Sequence, residues 1–369
     1  MDHAIIPYIP FSCALVWRHL KGFDEPEIVI DYGFTPRWFR KRIDIDFGKR
    51  WHRDPVYRRQ AFVEMAELLN REFPELHFGG DPKKIKGSIS GIQSCALIAS
   101  FFGQGIDYSP EGWPVNRGRI LSDEETDELE VPNYRSHPEY ENLMRQMEQI
   151  ECEWGTIEGE LNFQSVMNTA FRLRSNRLFL DMYDRPERVH HLFKIIYQTM
   201  VPFIDEVHQR QSNSGVERDF FVTSNCVVNM ISREHYEAFL MPWDIKLRDH
   251  FPFFGIHNCN WNVDAYIESY AKLGEILYLD FGMDSDLQLL RELFPAATRV
   301  SFYRLTNGMQ LEEIKRDLEA IHRSDSCTRI YLSAIEAETH STLITGFYNL
   351  ASDIWKIPIQ ELLPDPPNY

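Results

Sequence analysis

The chain has 369 residues, 43% hydrophobic and 26% charged, which suits one large α/β barrel or two ordinary domains and excludes a disordered or fibrous chain. The 39 Lys and Arg against 56 Asp and Glu leave a net charge of −17, a sign that repels a phosphate backbone and argues against nucleic acid as a ligand. The leading Met1-Asp2-His3-Ala4-Ile5-Ile6-Pro7 lacks the basic start and apolar core of a signal peptide, and no window approaches the roughly 18 uncharged apolar residues of a span. A cytoplasmic protein without a membrane segment is therefore expected. Cys13, Cys95, Cys152, Cys226, Cys259 and Cys327 are scattered without framework spacing, so structural disulfides are not expected.

In chain order, Val56 to Phe73 reads as a helix with a basic start and an apolar stripe. Leu76 to Gly79 and Ile92 to Ala99 are candidate strands, and the acidic stretch from Ile120 to Tyr134, containing Pro132, reads as a solvated loop. Pro186 and Glu187 open a long helix running to Gln211. Phe220 to Thr223 is a further candidate strand, and Arg233 to Phe251 is helical. Beyond it four short β-rich runs recur, Pro252 to His257, Ile276 to Phe281, Arg299 to Tyr303 and Arg329 to Ser333. Amphipathic segments follow each run in turn: Val263 to Leu273, Asp286 to Leu293, Leu311 to His322 and Leu343 to Ile354. Strand starts roughly 23 to 30 residues apart suit the repeat of a (β/α)8 barrel of the TIM type. A doubly wound open sheet gives the same local pattern, but no Gly-x-Gly-x-x-Gly follows a strand to support its dinucleotide-binding form. The expected organisation is an N-terminal helical elaboration over residues 1–80 packed on a barrel over residues 81–369.

Parallel strands closed into a barrel bring their C-terminal ends to one rim, where the loops build the site. The run ending at His257 continues Asn258-Cys259-Asn260-Trp261. In extended backbone His257 and Cys259 project to the same side, and imidazole with thiolate is a pair that zinc favours. The alternative is that His257 closes the strand by hydrogen bonding and Cys259 fills space. Asp280 ends the second run as a candidate base or acceptor, with Asp284 a helix N-cap, and Arg304 and Asn307 follow the third. The last run leads into Ala334-Ile335-Glu336-Ala337-Glu338-Thr339-His340, where Glu336 or Glu338 is a candidate third zinc ligand, leaving a fourth position for substrate. Capping of the helix near Ser341 is the alternative for these acids. Thr223-Ser224-Asn225-Cys226 is a candidate pocket lining or a structural turn, and Asn225 joins Asp280 and Arg304 as a candidate catalytic residue. Arg37-Trp38-Phe39 through His52-Arg53-Asp54 reads either as a cover over the mouth or as a packed surface helix.

From about Glu158 onward the chain resembles the uroporphyrinogen decarboxylase superfamily, through Gly159-Glu160-Leu161, the run Asp181 to Val189, the run Ile231 to Pro242, and Gly255-Ile256-His257-Asn258-Cys259. The Arg-Gln-Ala-Gly-Arg signature of the decarboxylases themselves is missing. Members with His-x-Cys at this strand end are zinc-dependent, cobalamin-linked methyltransferases in which the pair and a later Cys bind zinc. At the matching loop this chain offers Glu336. The resemblance implies a Zn2+ site at His257 and Cys259 and a corrinoid-binding partner protein, whose cobalt cycles between Co(I) and methylcobalamin. A carboxylate in the donor set makes a harder Lewis acid, which points to an O-methyl substrate such as an aryl methyl ether. Three functional expectations result: the methyltransferase component of a corrinoid-dependent O-demethylation system, a decarboxylase or lyase using Asp280 and Arg304, and a non-catalytic corrinoid or tetrapyrrole binding module.

Overall fold

The computed structural model describes residues 28–363, apart from His77, Gly79, Asp219, Ser326 and Thr328. The leading Met1 to Pro7 segment, Cys13 and the end of the candidate strand Leu76 to Gly79 lie outside the described residues.

Six parallel strands form one curled sheet: β1 (Val29–Phe34), β4 (Phe220–Ser224), β5 (Phe253–His257), β6 (Tyr278–Gly282), β7 (Thr298–Tyr303) and β8 (Arg329–Ile335), in the order β1-β8-β7-β6-β5-β4. A separate antiparallel hairpin joins β2 (Gly105–Asp107) to β3 (Val115–Arg117). The four C-terminal runs and the Phe220 run are thus strands, and helices Leu287–Leu293, Leu311–Ser324 and Ser341–Trp355 cross between or follow them as the apolar periodicity predicts. Residues 1–80 contribute more than helices, because β1 pairs with β8 from Val29 with Arg329 to Tyr32 with Leu332.

The expected eight-strand closure is present only in part. β1 and β4 are the edges of the ladder, and pairing continues beyond β4 through isolated parallel bridges, Gln164 with Ser224 and Ser88 with Glu158. Around the second bridge Ile89 N donates to Glu158 O at 2.9 Å and Gly91 N to Glu160 O at 3.3 Å. The result is an α/β half-barrel with two short extended segments lined up at its open side.

Alternation along the strands divides the core. Phe220, Val222, Tyr278, Val300, Phe302 and Tyr331 pack together on the inner face. Phe221, Phe254, Ile256, Leu279, Phe281, Ile330 and Leu332 point outward into the main core under the helices. Both faces are covered, which is why the strands read as near-continuous apolar runs.

Three sequence expectations need correction. Ile92 to Ala99 is no strand: Gln93 and Ser94 turn with φ of 55° and 44°, and Ser94–Ala96 and Leu97–Ser100 wind into short helical turns. Its apolar run is short enough to suit a buried helix equally. The acidic loop from Ile120 to Tyr134 contains a helix, Asp123–Asp127, held by a Ser122 and Glu125 capping box. Arg233 to His250 is interrupted by a π-turn at Tyr236–Leu240. The Arg37 to Asp54 segment is largely packing, since Trp38, Phe39, Trp51 and His52 are buried.

The run Asp181 to Val189, one of those carrying the family resemblance, straddles helices Arg177–Asp184 and Pro186–Asn213. There the buried Asp181 bonds Arg174 Nε at 2.7 Å and Arg188 Nη1 at 3.1 Å, while Arg188 Nε also meets Asp127 at 2.6 Å. Among the described residues no helix is long and apolar enough to cross a membrane.

Candidate metal centre

Strands β4 and β5 lie side by side with Ser224 opposite His257. Two residues further on, the chain leaves each strand with a cysteine, so the register alone brings Cys226 beside Cys259, about one strand spacing of 4.8 Å away. Cys226 Sγ lies 3.1 Å from Cys259 Sγ, and Cys259 Sγ lies 3.0 Å from His257 Nε2. The ligand atoms of Cys226, His257 and Cys259 all fall within 4.8 Å of one another, the metal-ligand grouping found among the described residues. Both cysteines are free thiols and partly exposed, whereas His257 is fully buried.

Cys259 reaches this place by a turn and not by strand alternation. Its φ is 61°, in the left-handed region, which swings Sγ back over the imidazole. The loop then crosses the end of β6, where Gly282 N donates to Trp261 O at 2.7 Å. A Cβ on Gly282 would stand 2.9 Å from Asn260 O, so a glycine is needed for the loop to pass.

Behind the imidazole stands Asp280, the middle residue of β6 and fully buried. Its Oδ2 accepts from His257 Nδ1 at 2.6 Å and from the Tyr278 hydroxyl at 2.7 Å, and its Oδ1 accepts from Asn258 N at 2.6 Å. Asn258 is itself fixed, giving its Nδ2 to Asp280 O at 2.9 Å and taking the Tyr270 hydroxyl on Oδ1 at 2.7 Å. Nδ1 carries the hydrogen in this arrangement, so Nε2 is the atom that faces the sulfurs.

The charges fit the geometry. Burial alone would lower the His257 imidazole, but Asp280 and the Cys226 sulfur overcome it and push it up to about 10. The hydrogen bond from Cys259 and the nearby imidazole hold the Cys226 thiol well below its ordinary range, against burial. Carboxylate, imidazole and thiolate thus line up so that a positive charge is stabilised between the ring and the sulfurs.

A zinc ion suits that donor set. Bonds of about 2.3 Å to sulfur and 2.0 Å to nitrogen set tetrahedral edges of about 3.8 Å between sulfurs and 3.5 Å between sulfur and nitrogen. The two separations in the structure, 3.1 and 3.0 Å, need to open by about 0.7 and 0.5 Å, within the reach of small side-chain rotations. Asp280 supplies the outer carboxylate that a metal-bound histidine ordinarily has on its other nitrogen.

The residues singled out from sequence fall into different places. His257 and Cys259 come together, with Asp280 behind them, engaged at both oxygens as a support for the ring. Asn225 is also a support: its N donates to His257 O at 2.8 Å and its Nδ2 to Asp244 Oδ2 at 3.0 Å. Tyr236 donates to the same Asp244 oxygen at 2.9 Å. Burial pushes Asp244 up to about 7, and its Oδ1 and Asn225 Oδ1 are both enclosed without a partner in the hydrogen-bond network. Arg304 stands exposed just beyond β7.

The two acids proposed as third ligands are outside the cluster. β8 is separated from β5 by β7 and β6, about 14 Å along the curled sheet. Glu338 turns instead toward helix Pro36–Ile43, pairing with Lys41 at 2.5 Å and Arg37 at 3.8 Å on the surface. Glu336 is half-buried, and its carbonyl accepts Thr339 N in the turn after β8. Cys226 takes the position in the cluster that these acids were expected to fill. The signal that finds it is the pairing of β4 with β5.

No family model matches the chain, and no curated protein sequence matches it. Among solved structures, a methyltransferase from Methanosarcina mazei superposes with a TM-score of 0.64 at 11% sequence identity, covering 91% of this chain and 96% of that chain. At that identity the likeness is one of fold, and it extends over nearly the whole of both chains.

Proposed function

We propose that the chain is a zinc-dependent methyltransferase that moves a methyl group between a small methylated compound and the cobalt of a corrinoid protein. The observation that carries this reading is the convergence of Cys226, His257 and Cys259, backed by Asp280, at the C-terminal end of the parallel sheet. Two further facts support it: the fold likeness to a methyltransferase over 91% of this chain, and the position of the site where (β/α)8 enzymes carry theirs.

His257 Nε2 and the two sulfurs would hold the ion, leaving a fourth position toward the open mouth. Zinc bound there supplies a Lewis acid for the heteroatom that carries or accepts the methyl group. The protein's own contribution is orientation. Asp280 keeps the hydrogen on Nδ1 and Nε2 free to donate, and Asn258 with Tyr278 keeps Asp280 in place.

The donor set also changes the expected substrate. A preference for an O-methyl compound rested on a carboxylate ligand, Glu336 or Glu338. Two thiolates give the ion more electron density and a softer character, which suits sulfur at the fourth position. A methyl thioether donor, or its thiol counterpart, is the reading the cluster favours. A decarboxylase mechanism is less well served, because both oxygens of Asp280 are occupied inside the fold.

The test is elemental analysis of the purified protein followed by methyl transfer to a reduced corrinoid, read from the cobalt absorption spectrum. Zinc is expected in the native protein and lost in Cys226→Ala and His257→Ala, with methyl transfer lost alongside. A protein that takes up no zinc, or that transfers methyl groups undiminished without Cys226, overturns the reading.

A further inference from the structure

Helix Val166–Arg174 begins just after the segment that bridges to Ser224, so it rises from the same rim as the cysteine loops. Seven of its side chains are buried, and only Phe171 and Arg172 reach solvent. Its first turn rests on the Cys226 loop, with Asn168 Oδ1 accepting Val227 N at 3.0 Å. Arg172 stands four residues further on, on the same helix face and about 6 Å along the axis.

The guanidinium of Arg172 is poorly matched. Nη2 meets Cys95 Sγ at 2.8 Å, and Nε is enclosed with no acceptor. Among the described residues no carboxylate pairs with it. The more deeply buried Arg174, Arg188, Arg218 and Arg329 each face an aspartate or glutamate, and Arg58 and Arg299 donate to oxygen acceptors, mostly backbone carbonyls. A thiol is a weak acceptor for a group that carries five donors and a full charge. Cys95 lies in the helical turn Ser94–Ala96 that follows the extended segment at Ser88 to Gly91, and Arg172 in the helix that follows the segment bridging to Ser224, so the pair joins the elements that leave two neighbouring extended segments. A half-buried, under-satisfied cation beside a reaction site has the geometry to grip a planar anion by two parallel bonds.

We propose that Arg172 binds the carboxylate of the methylated substrate, end-on through Nη1 and Nη2 beside the Cys95 thiol, so that the substrate class is a small anionic methyl compound. The word substrate rests on the methyl-transfer reading above; carboxylate binding itself does not. With the carboxylate on Arg172, the other end of a short molecule points along the helix toward Val227 and Cys226.

The probes are (methylthio)acetate and its neutral amide, which differ in charge and hardly in shape. In the wild-type protein the acid is expected to slow alkylation of Cys95 by iodoacetamide several-fold, followed by peptide mass spectrometry, while the amide leaves the rate unchanged. Calorimetry is expected to show binding of the acid weakened about tenfold or more in Arg172→Gln and less in Arg172→Lys. Arg304→Gln, at the exposed cation just beyond β7, leaves binding unchanged. Equal protection by acid and amide, or undiminished binding in a folded Arg172→Gln, overturns the proposal. The alkylation experiment needs no variant, so it decides even where Arg172→Gln does not fold. Selective protection by the acid in a protein that transfers no methyl group would uphold this site and remove the methyl-transfer reading alone.

Discussion

Replacing Asp280 with asparagine changes few atoms and tests the chemistry of the cluster. Asp280 accepts from His257 Nδ1 at 2.6 Å, from Tyr278 at 2.7 Å and from Asn258 N at 2.6 Å. An asparagine that keeps its oxygen on Asn258 N turns an amino group toward the imidazole. The ring answers with the opposite tautomer, Nδ1 accepting and Nε2 carrying the hydrogen, and Nε2 then has no lone pair for a cation. The flipped amide restores the His257 contact but sets two donors face to face at Asn258. Losing an outer partner of this kind costs about 10- to 100-fold in metal affinity, or about 1.4–2.7 kcal/mol. The assay is competition for zinc against a chromogenic chelator near neutral pH, with chemical denaturation showing that the variant is folded. A folded Asp280→Asn protein that binds zinc within about threefold of wild type would refute the claim that this carboxylate sets the ring for metal.

Cys226→Ala is expected to abolish stoichiometric zinc binding, whereas Glu336→Gln and Glu338→Gln retain it; loss in either glutamine variant would return the third ligand to β8. Burial holds Asp244 up to about 7, against about 3.9 in an unfolded chain, so the native state keeps a proton that the unfolded chain releases between those values. Its contribution to stability is complete below about pH 4 and is lost as pH rises to about 7, with a slope of up to about 1.4 kcal/mol per pH unit. Asp244→Asn removes that slope, and its denaturation midpoint should gain on wild type from about pH 5 to 7; a difference that does not vary with pH counts against a protonated Asp244. Asp181→Ala removes the buried carboxylate that Arg174 and Arg188 share, leaving them the half-exposed Asp123 and Asp127, and is expected to cost about 1–3 kcal/mol in urea unfolding, while Glu338→Ala, at a surface pair, costs under about 1 kcal/mol. Comparable losses in the two would overturn the distinction between buried and exposed ion pairs here.

The C-terminal strands were legible because each is buried on both faces and reads as an unbroken apolar run followed by an amphipathic helix. β1 was not. Val29-Ile30-Asp31-Tyr32-Gly33-Phe34 is broken by Asp31, whose partner Arg329, at 3.1 Å, is 298 positions away. His257 and Cys259 were visible as a short-range pair, and Asp280 as an acid at a strand end. Cys226 was not assigned as a ligand, although the segment Thr223 to Cys226 stood out. Its role depends on which strands are neighbours and on their register, and neither is written locally. The resemblance directed attention to the loop after β8, and only the pairing of Ser224 with His257 redirects it to the loop after β4.

Cys259 combines two requirements that pull against each other. The bend at φ 61° is one that glycine adopts freely and that costs any side chain about 1–2 kcal/mol, yet glycine has no sulfur to offer. Relief of the backbone and retention of the thiol are therefore mutually exclusive at this position, and the loop stays under tension whenever the thiol is present. A bound cation held between Sγ and Nε2 would tether that tension in place, so that occupancy of the centre and stiffness of the rim become one property of the molecule.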